Sequence, residues 1–239
     1  MDVIVLGPAG CGKSTLTGEF GRYLKREGYS VRFLNLDPGC LAAPYQCDFD
    51  IRERFTVEQI MRSERLGPGG AMVRAMEKLS ETEIPKYSAD FTLIDTPGQL
   101  EVFAFQAAGP KIVRQYRDPV GIFILDACIG IQDLPAIYLY SLATGHRLGI
   151  ETIRIVNKVD MLRESELEAM REYLGNPVIL KKRIHTRGTL SDIYVPLSEL
   201  LQRVLLAQRN PFVSARTGRG FGELLDLLHE VRCACGDTT

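Results

Sequence analysis

Gly7-Pro8-Ala9-Gly10-Cys11-Gly12-Lys13-Ser14 is the stretch on which the reading of this chain turns. A glycine, four residues, then Gly-Lys-Ser is the spacing of a phosphate-binding loop. Before it, Val3 to Leu6 is a short apolar run that reads as a buried strand. After it, Lys13 to Glu27 carries Leu16, Phe20 and Leu24 at helical spacing. A strand, a glycine-rich turn and a helix bring backbone N–H groups and the positive helix end onto one anion. Gly10, Cys11, Gly12, Lys13, Ser14 and Thr15 are therefore the candidate phosphate contacts. Lys13 is expected to reach the β- and γ-phosphates of a nucleoside triphosphate and to act in catalysis, and Ser14 to ligate Mg²⁺.

Further along, apolar runs recur and each ends in a chemically specialised residue. Ser30 to Leu36 leads to Asp37-Pro38-Gly39, Phe91 to Ile94 to Asp95, Gly121 to Leu125 to Asp126, Thr152 to Val156 to Asn157, and Pro211 to Val213 to Ser214. With helical stretches between most of them, this pattern predicts an α/β fold of the P-loop NTPase type, a mostly parallel sheet flanked by helices. Ligands of such sheets bind beyond the carboxyl ends of the strands, where these residues fall. One domain over residues 1–239 is expected, with helical insertions at about 41–87 and about 161–210. The first contains the capping-box pattern Thr56-Val57-Glu58-Gln59, opening a helix toward Arg65. Leu66-Gly67-Pro68-Gly69-Gly70 is expected to stop that helix, and Ala71 to Leu79 to begin another. In the second, Ser165 to Tyr173 and Leu197 to Gln208 read as helices.

Three further motifs follow the phosphate loop in order. Asp95-Thr96-Pro97-Gly98 ends a strand, where a carboxylate holds Mg²⁺ through water and the Gly98 N–H meets a γ-phosphate. Occupancy of that phosphate would pull on Gln99-Leu100-Glu101, a switch mechanism. Gln99 and Asp37 are candidates for arranging the attacking water, and Asp37 also for contacting Mg²⁺ through water. Asn157-Lys158-Val159-Asp160 reads a base. A carboxylate at Asp160 accepts from N1–H and the exocyclic amine of guanine, whereas adenine leaves it unpaired. The Lys158 stem can lie across the base, and Asn157 can bridge the base edge to the phosphate loop. Ser214-Ala215 supplies a backbone N–H for guanine O6. GTP and GDP are the nucleotides these motifs imply.

Bulk properties narrow the partners. The 239 residues are 45% hydrophobic and 25% charged, with a formal net charge of −1. That balance provides no global field for nucleic acid or an anionic membrane. The basic run Lys181-Lys182-Arg183, with His185 and Arg187, reads as a solvated face. No apolar run approaches the ~18 residues of a membrane span. Met1 to Leu6 lacks the basic leader of a signal peptide, so a cytoplasmic location with reduced cysteines is expected.

With these residues in hand the chain resembles the GPN-loop GTPases, a branch of the dimeric P-loop GTPases that also includes signal-recognition and metal-insertion proteins. The likeness spans nearly the whole chain. It covers the phosphate loop, Asn35-Leu36-Asp37-Pro38, Asp50-Ile51-Arg52, Asp95-Thr96-Pro97-Gly98-Gln99, Glu101-Val102-Phe103, Gly109 and the guanine motif. The resemblance implies a homodimer, or a heterodimer with a paralogue, whose nucleotide sites face the interface. It also implies an assembly factor acting on a client protein; eukaryotic relatives are tied to RNA polymerase assembly and nuclear import. This chain departs from the pattern at the tripeptide that gives the family its name. It reads Gly67-Pro68-Gly69 where relatives carry an asparagine that reaches toward the partner's phosphate site. Slower hydrolysis or altered switching is the expected consequence.

Two other functions stay open on the residues. One is a nucleotide-gated scaffold with negligible hydrolysis. The other is a metallochaperone GTPase, supported by Cys233-Ala234-Cys235 alone, which supplies two soft ligands per chain but reads first as a mobile tail. Cys11 is incidental to phosphate binding, although oxidation there would block nucleotide. His146, His185 and His229 have no metal-ligand spacing, and Leu200, Leu201, Val204 and Leu205 form an apolar helical face.

Overall fold

A computed structural model of the chain describes residues 1–131, 133–175, 196 and 209–236. Its strands are β1 (Asp2–Leu6), β2 (Val31–Asn35), β3 (Phe49–Asp50), β4 (Phe91–Asp95), β5 (Val120–Asp126) and β6 (Thr152–Asn157). All neighbours are parallel, in the order β3-β2-β4-β1-β5-β6. The register aligns the functional ends: Asn35 and Val5 each pair with Asp95, and Asp126 pairs with Asn157.

Alternate residues of each strand feed two separate cores, as the pleat requires. Val3, Val5, Phe33, Leu93, Ile122 and Ile155 face α1 (Lys13–Arg26) and the last described helix. On the opposite face lie Ile4, Leu6, Leu34, Ile94, Phe123 and Val156. They pack beneath α2 (Val57–Glu64), α3 (Pro68–Ser80), α4 (Leu100–Phe105), α5 (Ala108–Val113), α6 (Leu134–Leu148) and α7 (Glu164–Gly175). The last helix is α8 (Phe221–Gly236). Coverage on both faces makes these strands apolar runs instead of polar/apolar alternations.

The first insertion is built into this architecture. Its Ile60, Met72, Ala75, Met76 and Leu79 belong to the same apolar cluster as the strands. The expected capping box is present: Thr56 N donates to Gln59 Oε1 at 2.9 Å, and Gln59 N to Thr56 Oγ1 at 3.1 Å. Three expectations need correction. Pro211 to Val213 forms a single bridge, Val156 with Phe212, not a strand. Pro211 offers only its carbonyl to the Val156 N–H, and the chain leaves the ladder after Val213. The missing strand comes from inside the insertion, as β3. The first helix stops at Arg65 as expected, but the second begins at Pro68 and not at Ala71, so Pro68-Gly69-Gly70 is its first turn. Gly67 is the N-cap and Pro68 sits in the first turn, where its missing N–H costs nothing. The expected helix at 197–208 and the basic run at 181–187 lie outside the described residues.

Candidate nucleotide site

The phosphate loop owes its shape to two contacts with no room for a side chain. At Gly12 (φ +98°), the N-cap of α1, a Cβ would stand 2.7 Å from Asn157 Nδ2. At Gly7 (φ +149°) it would stand 2.6 Å from Cys11 Sγ. Lys13 is buried in the first turn of α1, and its Nζ donates to Gly7 O at 2.8 Å and Pro8 O at 3.0 Å. The ammonium thus spans the loop it was expected to serve. Thr15 is exposed and Ser14 half-buried. Cys11 is 1% exposed, and burial pushes its thiol up to about 11. Oxidation of this cysteine is therefore opposed on two grounds, since the reactive form is an accessible thiolate, which suits its reading as incidental to phosphate binding.

Asp95 is fully buried at the end of β4. Desolvation pushes its carboxyl up to about 6, against the pull of Ser14, Tyr45 and Lys13. Oδ2 accepts from Tyr45 Oη at 2.9 Å, while Oδ1 has no hydrogen-bond partner. A buried carboxylate oxygen with no donor, beside a serine hydroxyl and close to an ammonium, fits a hard divalent cation such as Mg²⁺. Among the described residues no group of three or more His, Cys, Asp or Glu gathers into an all-protein metal cage.

Asp37 joins two loops. Its Oδ1 accepts from Gly39 N at 2.8 Å and its Oδ2 from Gly98 N at 2.9 Å. The amide expected to meet a γ-phosphate is therefore held by the carboxylate expected to serve water or metal. Gln99 is the exposed N-cap of α4, with no hydrogen bond from its side chain. It lies beside the site and is not fixed in it.

The base-reading motifs converge through Asn157. Its Nδ2 donates to Cys11 O at 3.0 Å and its Oδ1 accepts from Ala215 N at 2.9 Å. One buried amide thus joins the phosphate loop, β6 and the Ser214-Ala215 turn. Ser214 is buried, and its Oγ accepts from Thr217 N at 3.1 Å to hold that turn. Lys158 occupies the left-handed region at φ +67°, uncommon for a side-chain-bearing residue. Its Nζ donates to Gly10 O at 2.7 Å and pairs with Asp126 Oδ2 at 2.6 Å. Asp160 follows in a short turn, exposed and with no hydrogen bond among the described residues.

Sequence reading assigned no role to Tyr45 or Asp126. Asp126 had a visible signal, since it ends an apolar run as Asp95 and Asn157 do. Tyr45 had none, because its partner lies fifty residues away in sequence. The Cys233-Ala234-Cys235 segment is helical, not a free tail. At the family tripeptide, Gly67 and Gly69 are exposed, and a Cβ at either would meet nothing.

Comparisons with known proteins agree with this geometry. The family described as conserved hypothetical ATP binding protein matches residues 5–234. GPN-loop GTPase PAB0955 of Pyrococcus abyssi is 39% identical over 251 aligned positions, covering 100% of both chains. GPN-loop GTPase 3 of Dictyostelium discoideum is 32% identical, over 68% of this chain and 61% of that one. The crystal structure of PAB0955, described as a GTPase in apo form, superposes with a TM-score of 0.86 at 36% identity, over 98% of each chain.

Proposed function

This chain belongs to the GPN-loop GTPase family, and from that premise we propose that it is a magnesium-dependent GTP switch. It hydrolyses GTP to GDP and phosphate, and works as a homodimeric assembly factor on a client protein in the cytoplasm. One observation carries the nucleotide choice: the double hydrogen bond of Asn157 to Cys11 O and Ala215 N. It brings phosphate loop and base loop to one site, beside an exposed Asp160 carboxylate. The matched family's description names ATP, but adenine presents an acceptor to that carboxylate, and guanine presents two donors.

Hydrolysis here is positioning and charge stabilisation. Lys13 exchanges the carbonyls of Gly7 and Pro8 for the β- and γ-phosphate oxygens. Ser14 directly, and Asp95 Oδ1 through water, would hold Mg²⁺, which when bound neutralises charge on those phosphates. The γ-phosphate takes the Gly98 N–H from Asp37. That frees Oδ2 of Asp37 to orient a water, with Gln99 swinging in as a second acceptor. The water oxygen bonds to the γ-phosphorus, the bond to the β–γ bridging oxygen breaks with its electron pair leaving on GDP, and the proton leaves with phosphate. Transfer of Gly98 from Asp37 to phosphate also pulls α4, so nucleotide state is relayed to the surface.

The resemblance to dimeric P-loop GTPases is what supports the dimer, and unpaired cysteines among the described residues suit a reducing compartment. No described helix is long and apolar enough to cross a membrane. A second reading, a nucleotide-gated scaffold with negligible turnover, is favoured by Gly69, which cannot supply the amide its relatives send to the partner. Single-turnover phosphate release from purified protein and GTP separates the two. Release completed within minutes supports the GTPase; release no faster than GTP in buffer supports the scaffold.

A further inference from the structure

Between β2 and β3 the chain makes a surface excursion that is tied down at both ends. Arg52 Nη1 donates to Cys40 O at 3.2 Å and Leu41 O at 3.0 Å, and Arg52 itself is paired with Asp50. At the other end Pro44 O accepts from Arg22 Nη1 at 3.3 Å, and Tyr45 turns inward. Its ring stacks on Phe33 with centroids 5.3 Å apart, and the residue is only 9% exposed. Space for it exists because α1 carries glycine at position 18, where a Cβ would stand 3.2 Å from Tyr45 Cδ1. This packing delivers one polar atom, Tyr45 Oη, to Asp95 Oδ2 at 2.9 Å. Between the ties Leu41 stands 99% exposed.

A carboxylate on a rotatable bond has two oxygens that can exchange places. Donation from a rigidly stacked phenol to one of them removes that freedom and fixes which oxygen is left over. Here the leftover is Oδ1, buried and without a partner. We infer that Tyr45 is a positioning residue for the metal site: its hydroxyl orients Asp95 so that Oδ1 serves a magnesium-bound water, and this tether links magnesium binding to the 40–45 surface loop. This inference rests on the magnesium-dependent reading given above.

The test is Tyr45→Phe in the full-length protein, which keeps the ring on Phe33 and deletes only the hydroxyl. The release rate of a fluorescent methylanthraniloyl-GDP is followed while magnesium chloride is titrated, and again in EDTA. Wild type is expected to retain GDP better as magnesium rises. Y45F should need on the order of ten-fold more magnesium for half of that effect, the size expected for loss of one hydrogen bond to a charged group. Its release rate in EDTA should match wild type, which a general loss of packing around the nucleotide would not permit, although its melting temperature without nucleotide falls because the buried Asp95 carboxylate loses a donor. An unchanged magnesium requirement, or an equal weakening in EDTA, overturns the role of Tyr45. A wild type indifferent to magnesium overturns the magnesium-dependent reading and this inference with it. Should Y45F not fold, Tyr45→Leu keeps an apolar side chain against Phe33 and removes the hydroxyl; the same magnesium-specific shift supports the inference and its absence refutes it.

Discussion

The two halves of the nucleotide site are held together in opposite ways. On the base side, the groups that organise the pocket already have the partners they need in order to work. Asn157 is bonded to Cys11 O and Ala215 N, and Lys158 to Gly10 O and Asp126. None of those bonds has to break for Asp160 to meet a base. On the phosphate side, the working groups are engaged with atoms they would have to leave. Lys13 holds two loop carbonyls, Asp37 holds the Gly98 amide, and the buried Asp95 Oδ1 has no partner among the described residues. The contrast suits the proposed switch: the half that recognises the nucleotide is preformed, and the half that senses its γ-phosphate must exchange partners to do so.

Mutations on the two sides should therefore fail differently. The largest effect is expected at Lys13. K13A removes the cation from the phosphate side and should slow single-turnover hydrolysis on the order of 10²–10³-fold, with the base side unaltered, so that guanine preference survives in competition binding. Asp95→Asn should reduce magnesium dependence and yet stabilise the metal-free protein. The native-state pKa of Asp95 is raised from 3.8 to about 6 by burial. Its contribution to stability is therefore full below about pH 4 and lost as pH rises through 6. By linkage D95N gains about 3 kcal/mol over wild type at pH 7.5 and little at pH 4. Denaturant melts in EDTA across that range check it; a difference that does not vary with pH contradicts the buried-carboxylate account.

Asn157→Ala strikes the preformed side. It leaves the Ala215 N–H and the Cys11 carbonyl without partners, at about 2 kcal/mol of folding stability. It should weaken GTP and GDP equally, whereas a larger loss for GTP would place Asn157 on the switching side. The smallest change is expected at Gly69. The site has room for a side chain, so Gly69→Asn should leave stability within about 0.5 kcal/mol. If the missing amide limits turnover, it should raise the GTP hydrolysis rate a few-fold or favour the closed dimer. Neither gain in rate nor in dimer closure would show that the glycine has no such consequence.

The preformed side was also the more legible in sequence. Its motifs lie at the ends of apolar strands, and Asn157-Lys158-Val159-Asp160 needs no distant partner to be read. The phosphate loop was legible for the same reason, since its glycines, Lys13 and Ser14 are contiguous. What escaped notice depends on packing between remote segments. The Tyr45–Asp95 bond spans 50 positions and the Asp37–Gly98 bond 61, and no local pattern announces either. β3 is two residues long, too short for any periodicity. Pro211 to Val213 misled because an apolar run beside a parallel sheet looks like a strand even when one bridge is all it forms. Gly67-Pro68-Gly69 misled because glycine and proline punctuate helices at both ends, and here proline marks a beginning.

The claim beneath all of this is that Asn157 joins a triphosphate cradle to a guanine-reading carboxylate. It is tested most directly by measuring equilibrium affinities for GTP, GDP, ATP and ADP by calorimetric titration of the purified protein in magnesium buffer. Guanine nucleotides should bind on the order of 100-fold or more tightly than their adenine counterparts. Equal affinity for the two bases would contradict the account.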